Sequence, residues 1–384
     1  MAESVPVNSA EPNENHARLA WRTWVPWTLV VIATVIALVS ALNVWVKRQA
    51  LSTDSWANAS GHLLENEKIR SALSIYLVNQ IYQNVDVAKA LEQRLPPRAK
   101  GLAQPLAAGL QGTAVNAVDA LLARPRVQQL WKEANRRAHK LFMAVLNGKK
   151  GLLAQSGGNV VLDLGPILER LGERTGLGSR INERLPPDAG QIVIMKGNQL
   201  GAARKAVKVI RVLSYFLFFL VIAMYAVAIW LAHGRRRKLL LGAGVGVLLV
   251  GLLVLVVRRF AGEYLVNTLT TNDTDKDAVS ASWAIGTQLL RNVGFNAVIY
   301  GVAIIFAAWI AGPSRAATWS RRSLAPTMRD HAWVVYGAVA VLLFLILLAG
   351  PTDAQRIFPL LILFAFAFVG TEILRRQTLR EFPP

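Results

Sequence analysis

The feature that most constrains this chain is a set of apolar runs, each about as long as a bilayer core is thick, roughly 20 residues of helix. They span residues 24–46, 212–232, 239–257, 293–311, 333–348 and 357–373, and their cores contain no Asp, Glu, Lys, Arg or His. Lipid offers no partner to a backbone amide, so each run is expected to be helical. A chain that is 53% hydrophobic and 17% charged over 384 residues must place this surplus against lipid.

The first run follows a polar tail carrying Arg18 and Arg22. Val39-Ser40-Ala41 would allow signal cleavage after Ala41, but the run continues through Val46 to Lys47-Arg48. Its length, and Trp residues at both ends, fit an anchor. Six spans put both termini on one side. With the termini inside, the cytoplasmic segments hold Arg18, Arg22, Arg235, Arg236, Arg237, Lys238, Arg315, Arg321, Arg322, Arg329, Arg375, Arg376 and Arg380. The short outer connections hold Arg258, Arg259, Lys276, Arg291 and Arg356, so thirteen basic residues inside face five outside. This predicts a multi-pass protein of the bacterial plasma membrane with cytoplasmic termini. A Trp-aliphatic-Ala element ends the second run at Trp230 and the fourth at Trp309, each before a basic loop. Both a parallel duplication and ordinary interface chemistry account for it.

The predicted organisation is a cytoplasmic tail (1–23), a first span (24–46), an extracytoplasmic domain (47–208), a five-helix transmembrane bundle (209–374) and a second tail (375–384). In the domain, Leu73, Tyr76, Leu77 and Ile81 recur at helical spacing. So do Val127, Leu130, Trp131, Ala134, Ala138, Leu141, Phe142 and Val145, each set predicting an apolar stripe. Pro96-Pro97, Pro105, Pro125 and Asn147-Gly148 punctuate four or five helices. Residues 159–164 and 191–195 are β-branched runs expected to pair with each other. Between them the pattern predicts a helix through Ile167, Leu168 and Leu171. After them, Asn198 is placed to cap a helix running unbroken into the second span, which would couple domain and membrane rigidly. The fold class is therefore an all-α membrane protein: six transmembrane helices plus a mainly helical extracytoplasmic domain with a small two-stranded β element.

The net charge of +20 would suggest nucleic acid in a soluble chain, but here the membrane is the simpler anionic partner. The domain carries 24 basic and 12 acidic residues, among them Arg98, Lys100, Arg124, Arg126, Arg136, Arg137, Lys149 and Lys150. These suit anionic lipid or an acidic wall polymer, and equally a solvated surface with pairs such as Glu133 and Arg137.

Catalytic patterns are weak. There is no cysteine, which excludes disulfides, thiolate metal sites and a thiol nucleophile. His16, His62, His139, His233 and His331 fall in separate segments without metal-ligand spacing. His139 reads as a polar surface or partly buried residue rather than a base. Gly242, Gly244, Gly246 and Gly251 lack the polar, strand-led context of a phosphate loop. Gly242 and Gly246 instead have the small-xxx-small spacing of close helix packing. Asp273, Asp275 and Asp277 alternate like the start of a calcium loop, but Ala278 and Ala284 stand where glycine and a bidentate glutamate are needed. A helix start explains them better. Glu372 lies a turn from Arg375 and Arg376 and reads as an interface pair. No catalytic, cofactor-binding or metal residue is assigned.

Leu64-Glu65-Asn66-Glu67, Leu95-Pro96-Pro97, the stretch from Leu130-Trp131 to Ala138-His139, and Asp188-Ala189-Gly190-Gln191-Ile192-Val193 carry a likeness covering most of the chain. In this it resembles a group of uncharacterised actinobacterial polytopic integral membrane proteins with a helical extracytoplasmic domain after the first span. The resemblance implies an architecture and a plasma-membrane location, and supplies no activity. The expected function is a non-enzymatic envelope recognition, scaffold or sensory protein without cofactor. Its expected partners are the lipid bilayer and anionic lipid, a cell-wall polymer or another envelope protein, with no nucleic acid. The alternative is a transporter or channel for a lipidic or uncharged substrate, capped by the domain. A polar cavity lined by Tyr215, Tyr225, Asn296 or Tyr300 would favour it.

Overall fold

The computed structural model describes the backbone of residues 14–148, 153–156, 159–163, 191–195, 197–232, 234–270, 272–349 and 357–382. Four helices are each long and apolar enough to cross a membrane: α1 (Glu14–Ala50), α7 (Gly197–Leu231), α8 (Arg236–Leu269) and α10 (Gln288–Ile310). They contain the first four expected spans. The fifth and sixth fall in α12 (Ala332–Ala349) and α13 (Ile357–Glu381). The link 350–356 and the side chains of 346–363 lie outside the described residues. Among the described residues four helices therefore qualify as spans, and two bent pairs bring the count to at most six: residues 97–146, within the stretch read as extracytoplasmic, and residues 315–345, which hold most of the fifth expected span.

Two compact units are present. One comprises residues 1–41, 217–256 and 290–384, the other residues 42–216 and 257–289. In the first unit, α8 is packed on two sides through its glycines. A Cβ on Gly242 would lie 2.8 Å from the Trp27 ring of α1, and one on Gly246 would strike Thr34 of α1. On the other side, a Cβ on Gly251 would sit 2.7 Å from the Gly294 carbonyl of α10, and one on Gly301 of α10 2.5 Å from the Leu248 amide. Lipid gives no hydrophobic drive for helices to associate, so close backbone approach through small residues supplies the dispersion contact instead. Gly242 and Gly246 thus occupy the packing role their spacing indicates. Gly251 and Gly301 extend it to a second interface. Val30, Ala228, Ala232 and Leu239 form the buried cluster beside it.

The same unit contains α11 (Arg315–Asp330), in a stretch the sequence marks only as basic. Ser314 caps it, its hydroxyl accepting from the Ala317 amide at 3.3 Å. Ala317, Arg321, Ala325 and Met328 recur at helical spacing and face inward against α12 and α13. Its axis turns 114° from that of α12.

The second unit joins α2 (Thr53–Glu65), α3 (Glu67–Asn84), α4 (Val87–Glu92), a 3₁₀ turn (Pro97–Leu102), α5 (Ala103–Leu122) and α6 (Pro125–Leu146). Residues 42–50 of α1 and the start of α7 belong to it. So does α9 (Asp273–Gly286), which packs on α3 and α2. The stretch read as an outer connection is therefore a helix of this unit, and Lys68 of α3 meets Asp277 of α9 at 2.8 Å. Asn66 closes α2 and caps α3, its side chain accepting from the Lys68 and Ile69 amides. The buried face of α2, Ala57, Ser60, Gly61 and Leu64, is mostly small, and α6 lies against it. Trp131 donates across that seam to the Ser60 carbonyl at 2.9 Å.

Two sequence expectations change here. The apolar stripes predicted for α3 and α6 are mostly not the buried faces, although Val145 of the second is buried. Tyr76 and Ile81 are exposed while Ser74 and Val78 are buried, and Leu130 is 65% exposed while His139 and Met143 are buried. Small residues permit tighter helix approach than large ones, so the packed face is the one with Ser74 and not the one with Tyr76. The expected two-stranded β element is instead a three-stranded antiparallel sheet, β1 (Leu153–Ser156), β2 (Asn159–Asp163) and β3 (Gln191–Met195). A strand before Gly157-Gly158 adds to the pair, with Ser156 opposite Asn159 and Asp163 opposite Gln191. The helix expected through Ile167 and Leu171 lies outside the described residues.

Candidate functional site

At the end of α10 the backbone amides of Ala311 and Gly312 take up the Ala307 and Trp309 carbonyls, and the other carbonyls there and in the Ala311-Gly312 turn lie beyond the helix's own ladder. Three side chains from three other segments converge on them. Arg237, at the start of α8, donates from Nε to the Ala308 carbonyl at 2.8 Å. Arg321 of α11 donates from Nη1 to the Ile310 carbonyl and to the Gly312 carbonyl at 2.7 Å. Gln377 of α13 reaches the Ala311 carbonyl at 3.4 Å. Two cations thus stand where the helix dipole is negative.

Arg321 is 2% exposed, and Ala317 and Ala325 leave it the room to lie between α11 and its neighbours. Its guanidinium is also paired with Glu381 of α13, Nε and Nη2 donating to Oε2 at 2.9 and 2.8 Å. Gln377 donates to the other carboxylate oxygen at 2.8 Å. Burial pushes the Glu381 carboxyl up, but the hydrogen bonds from Gln377 and Arg321 and the Arg321 charge outweigh it, holding the group below its ordinary 4.5.

A second knot lies beside it. Glu372 accepts from the Tyr336 hydroxyl at 2.5 Å and from Arg376 Nε at 2.7 Å, and pairs with Arg375 at 3.6 Å. Arg375 also donates to the Met328 carbonyl at 3.1 Å, and Arg329 to the Phe382 carbonyl at 2.9 Å. An open depression of 380 Å³ is lined by Ile373, Arg376, Gln377, Arg380 and Glu381. Arginine cannot act as a base and both carboxylates are held by it, so this arrangement fixes charge in place.

The sequence marked Glu372 with Arg375 and Arg376, and the structure brings them together with Tyr336. It did not mark Arg321, Gln377 or Glu381 as a group. The available signal was Arg321 at helical spacing with Ala317, Ala325 and Met328, a cation on an otherwise apolar face.

The other marked residues are dispersed. Tyr225 bonds Thr34 at 2.9 Å in the bundle unit, while Tyr215, in the second unit, lies under Lys47, whose Nζ is 3.5 Å from the ring centroid. Asn296 and Tyr300 are half-buried on α10. His139 is buried at 6% exposure, with Nε2 at 3.1 Å from the Ala50 carbonyl and Nδ1 at 3.1 Å from the Thr53 hydroxyl. Its ring stacks on Trp56 at 5.1 Å. A carbonyl only accepts, so Nε2 carries a proton and the ring serves as a crosslink of α6 to α2 and the end of α1.

His62 pairs with Glu65 at 3.0 Å, and His331 closes α11. The His16 side chain, His233, and Lys149 and Lys150 lie outside the described residues. Arg136 pairs with Asp54 and Arg137 with Glu133, whereas Arg98, Lys100, Arg124 and Arg126 are exposed. Asp275 and Asp277 lie in the first turns of α9, as a helix start requires. Among the described residues no group of three or more His, Asp or Glu could hold a metal ion. Comparison of the chain with known protein families, with characterised proteins and with solved structures finds no match.

Proposed function

We propose that the protein is a non-enzymatic scaffold or receptor of the bacterial plasma membrane, in which residues 47–208 face outward and recognise an anionic component of the envelope. The observation that carries this reading is the glycine packing of α8. One flank takes the Trp27 and Thr34 side chains of α1 against Gly242 and Gly246, and the other meets α10 at backbone distance, with Gly251 against Gly294 and Gly301 against Leu248, as suits an anchor better than a conduit. Exposed Arg98, Lys100, Arg124 and Arg126 give the recognising domain its charge. The resemblance to actinobacterial polytopic proteins fits the same location.

A second reading, a transporter or channel for a lipidic or uncharged substrate, draws on one observation: the Thr34 and Tyr225 hydroxyls meet at 2.9 Å between α1 and α7. Polar pairs within a bundle line some pathways and merely glue helices in others.

The test uses the full chain in lipid nanodiscs, sedimented with isolated wall polymer, with anionic vesicles or with neither. Retention above that of protein-free discs, reduced by salt, is the expected result. No retention with either component, together with solute or lipid flux through the protein in proteoliposomes, would replace this reading by the second.

A further inference from the structure

α3 and α5 form an antiparallel hairpin. Arg70 pairs with Asp119 at 3.1 Å, Asn79 accepts from Gln111 at 2.9 Å, and Tyr82 donates to the Ala107 carbonyl at 3.1 Å. Each of these links lies on the inner face. Between Arg70 and Asp86 no residue is charged, and none is charged between Lys100 and Asp119.

The outer face is apolar and open. Ile81 is 51% exposed, Val85 50%, Leu102 56%, Leu106 42% and Leu110 44%. A Cβ added at Gly101, Gly109 or Gly112 would meet nothing within 4 Å. These side chains cluster at one end of the hairpin, because residues 82 and 107 lie opposite each other. The connector at that end, α4 and the 3₁₀ turn, carries exposed Lys89, Arg94, Arg98 and Lys100. Its acids are Asp86, whose carboxylate caps α4 by accepting from the Lys89 amide at 2.8 Å, and Glu92.

Exposed leucines in an uncharged helix, bordered by cations, are the composition of segments that lie in an anionic lipid interface. The helix lengths agree. Residues 97–122 and 125–146 together reach the length and hydropathy of a span, but they bend by 70° between them. α5 and α6 therefore do not make one straight crossing. A protein partner would be expected to leave complementary acids on the outer face of α5. That face offers mainly leucine, alanine and glycine beside Gln104, Thr113 and Asn116, and no exposed acid.

We propose that the basic, apolar end of the α3–α5 hairpin docks into an anionic bilayer surface through Ile81, Leu106 and their neighbours, with Arg94, Arg98 and Lys100 on the phosphates. The docking deepens the envelope-recognition reading by naming lipid as what this part of the domain meets, and it rests on that reading.

Because the chain has no cysteine, single cysteines at Ile81, Leu106 and, as reference, Ala120 at the far end of α5 can each carry an environment-sensitive fluorophore. The full chain is placed in vesicles of phosphatidylcholine with phosphatidylglycerol, or of phosphatidylcholine alone, containing a nitroxide lipid quencher. Labels at Ile81 and Leu106 should shift to the blue and be quenched in the anionic vesicles, well beyond the Ala120 label. The triple variant Arg94→Gln/Arg98→Gln/Lys100→Gln should weaken that docking by about fivefold per charge removed. Its residues are exposed, so helix content by circular dichroism should not change.

Labels at Ile81 and Leu106 no more quenched than at Ala120 would overturn the proposal. So would quenching indifferent to phosphatidylglycerol and to the triple variant, or disulfide crosslinking of Leu106→Cys between two copies. Retention on wall polymer with unquenched labels would sink the lipid docking and leave envelope recognition standing.

Discussion

Replacing Arg321 by methionine isolates the polar work of the α10 clasp, since methionine keeps most of the apolar stem while removing the five guanidinium donors. At 2% exposure the change leaves the Ile310 and Gly312 carbonyls without their charged donor. A hydrogen bond to a charged group contributes about 1.5–3 kcal/mol. The Glu381 pair adds less than about 1 kcal/mol, because that carboxylate is 35% exposed and screened. The return of the arginine's desolvation offsets part of the sum, leaving a loss of about 3–5 kcal/mol, in the range for breaking a buried pair.

In a unit of this size that corresponds to a fall in melting temperature on the order of 10 °C. The assay is thermal unfolding of the full chain in nanodiscs, read by intrinsic fluorescence and by loss of the monodisperse peak. Arg321→Lys should recover part of the loss, because an ammonium lacks the planar fork that spans two carbonyls and a carboxylate. Glu381→Gln should cost under about 1 kcal/mol. The reasoning fails if Arg321→Met melts within about a degree of the parent, or if Glu381→Gln is as damaging, since the carbonyl contacts would then not be the source.

The remaining predictions use the same measurement. The Glu381 carboxyl lies below its ordinary 4.5 when folded, so its pairing stabilises above that value and is lost as pH falls through the lower folded one. The stability gap between the parent and Glu381→Gln should therefore be flat near neutrality and close only under acid. Gly251→Leu should be strongly destabilising, because the new side chain meets the Gly294 carbonyl and Val298 amide, both backbone; an unaltered melt would contradict the packing. Gly109→Leu, facing open space, should cost no more than about 1 kcal/mol and serves as its control. His139→Ala removes contacts to Ala50, Thr53 and Trp56 and should cost about 2–4 kcal/mol, whereas a surface histidine such as His62 should cost under about 0.5.

Much of this protein follows from one-dimensional pattern. An uncharged run of span length has few solutions in lipid, so the positions of α1, α7, α8 and α10 were legible from hydropathy. Small residues four apart were a readable packing signal at Gly242 and Gly246, because lipid leaves little else to bring helices together. The pairing of Glu372 with Arg375 and Arg376 was likewise local, one turn of helix apart.

What the sequence could not supply were contacts distant along the chain. Arg321 and Glu381 are sixty residues apart, and neither is distinctive until α11 folds back and presents its alanine face to α13. The same holds for α9, whose helix start was legible in its aspartates but whose place against α3, where Asp277 meets Lys68, was not. The face each amphipathic helix buries was also decided in three dimensions. Apolar periodicity pointed to Tyr76 and Leu130, yet close approach selected Ser74 in α3 and His139 in α6. Hydrophobicity specifies that a surface must be covered, and the tertiary structure decides by what, because shape and distance enter only when helices meet. In this chain the sequence determined which segments are long and apolar enough to cross a bilayer, and the tertiary structure decided that an arginine closes α10 and that a hairpin keeps its leucines exposed.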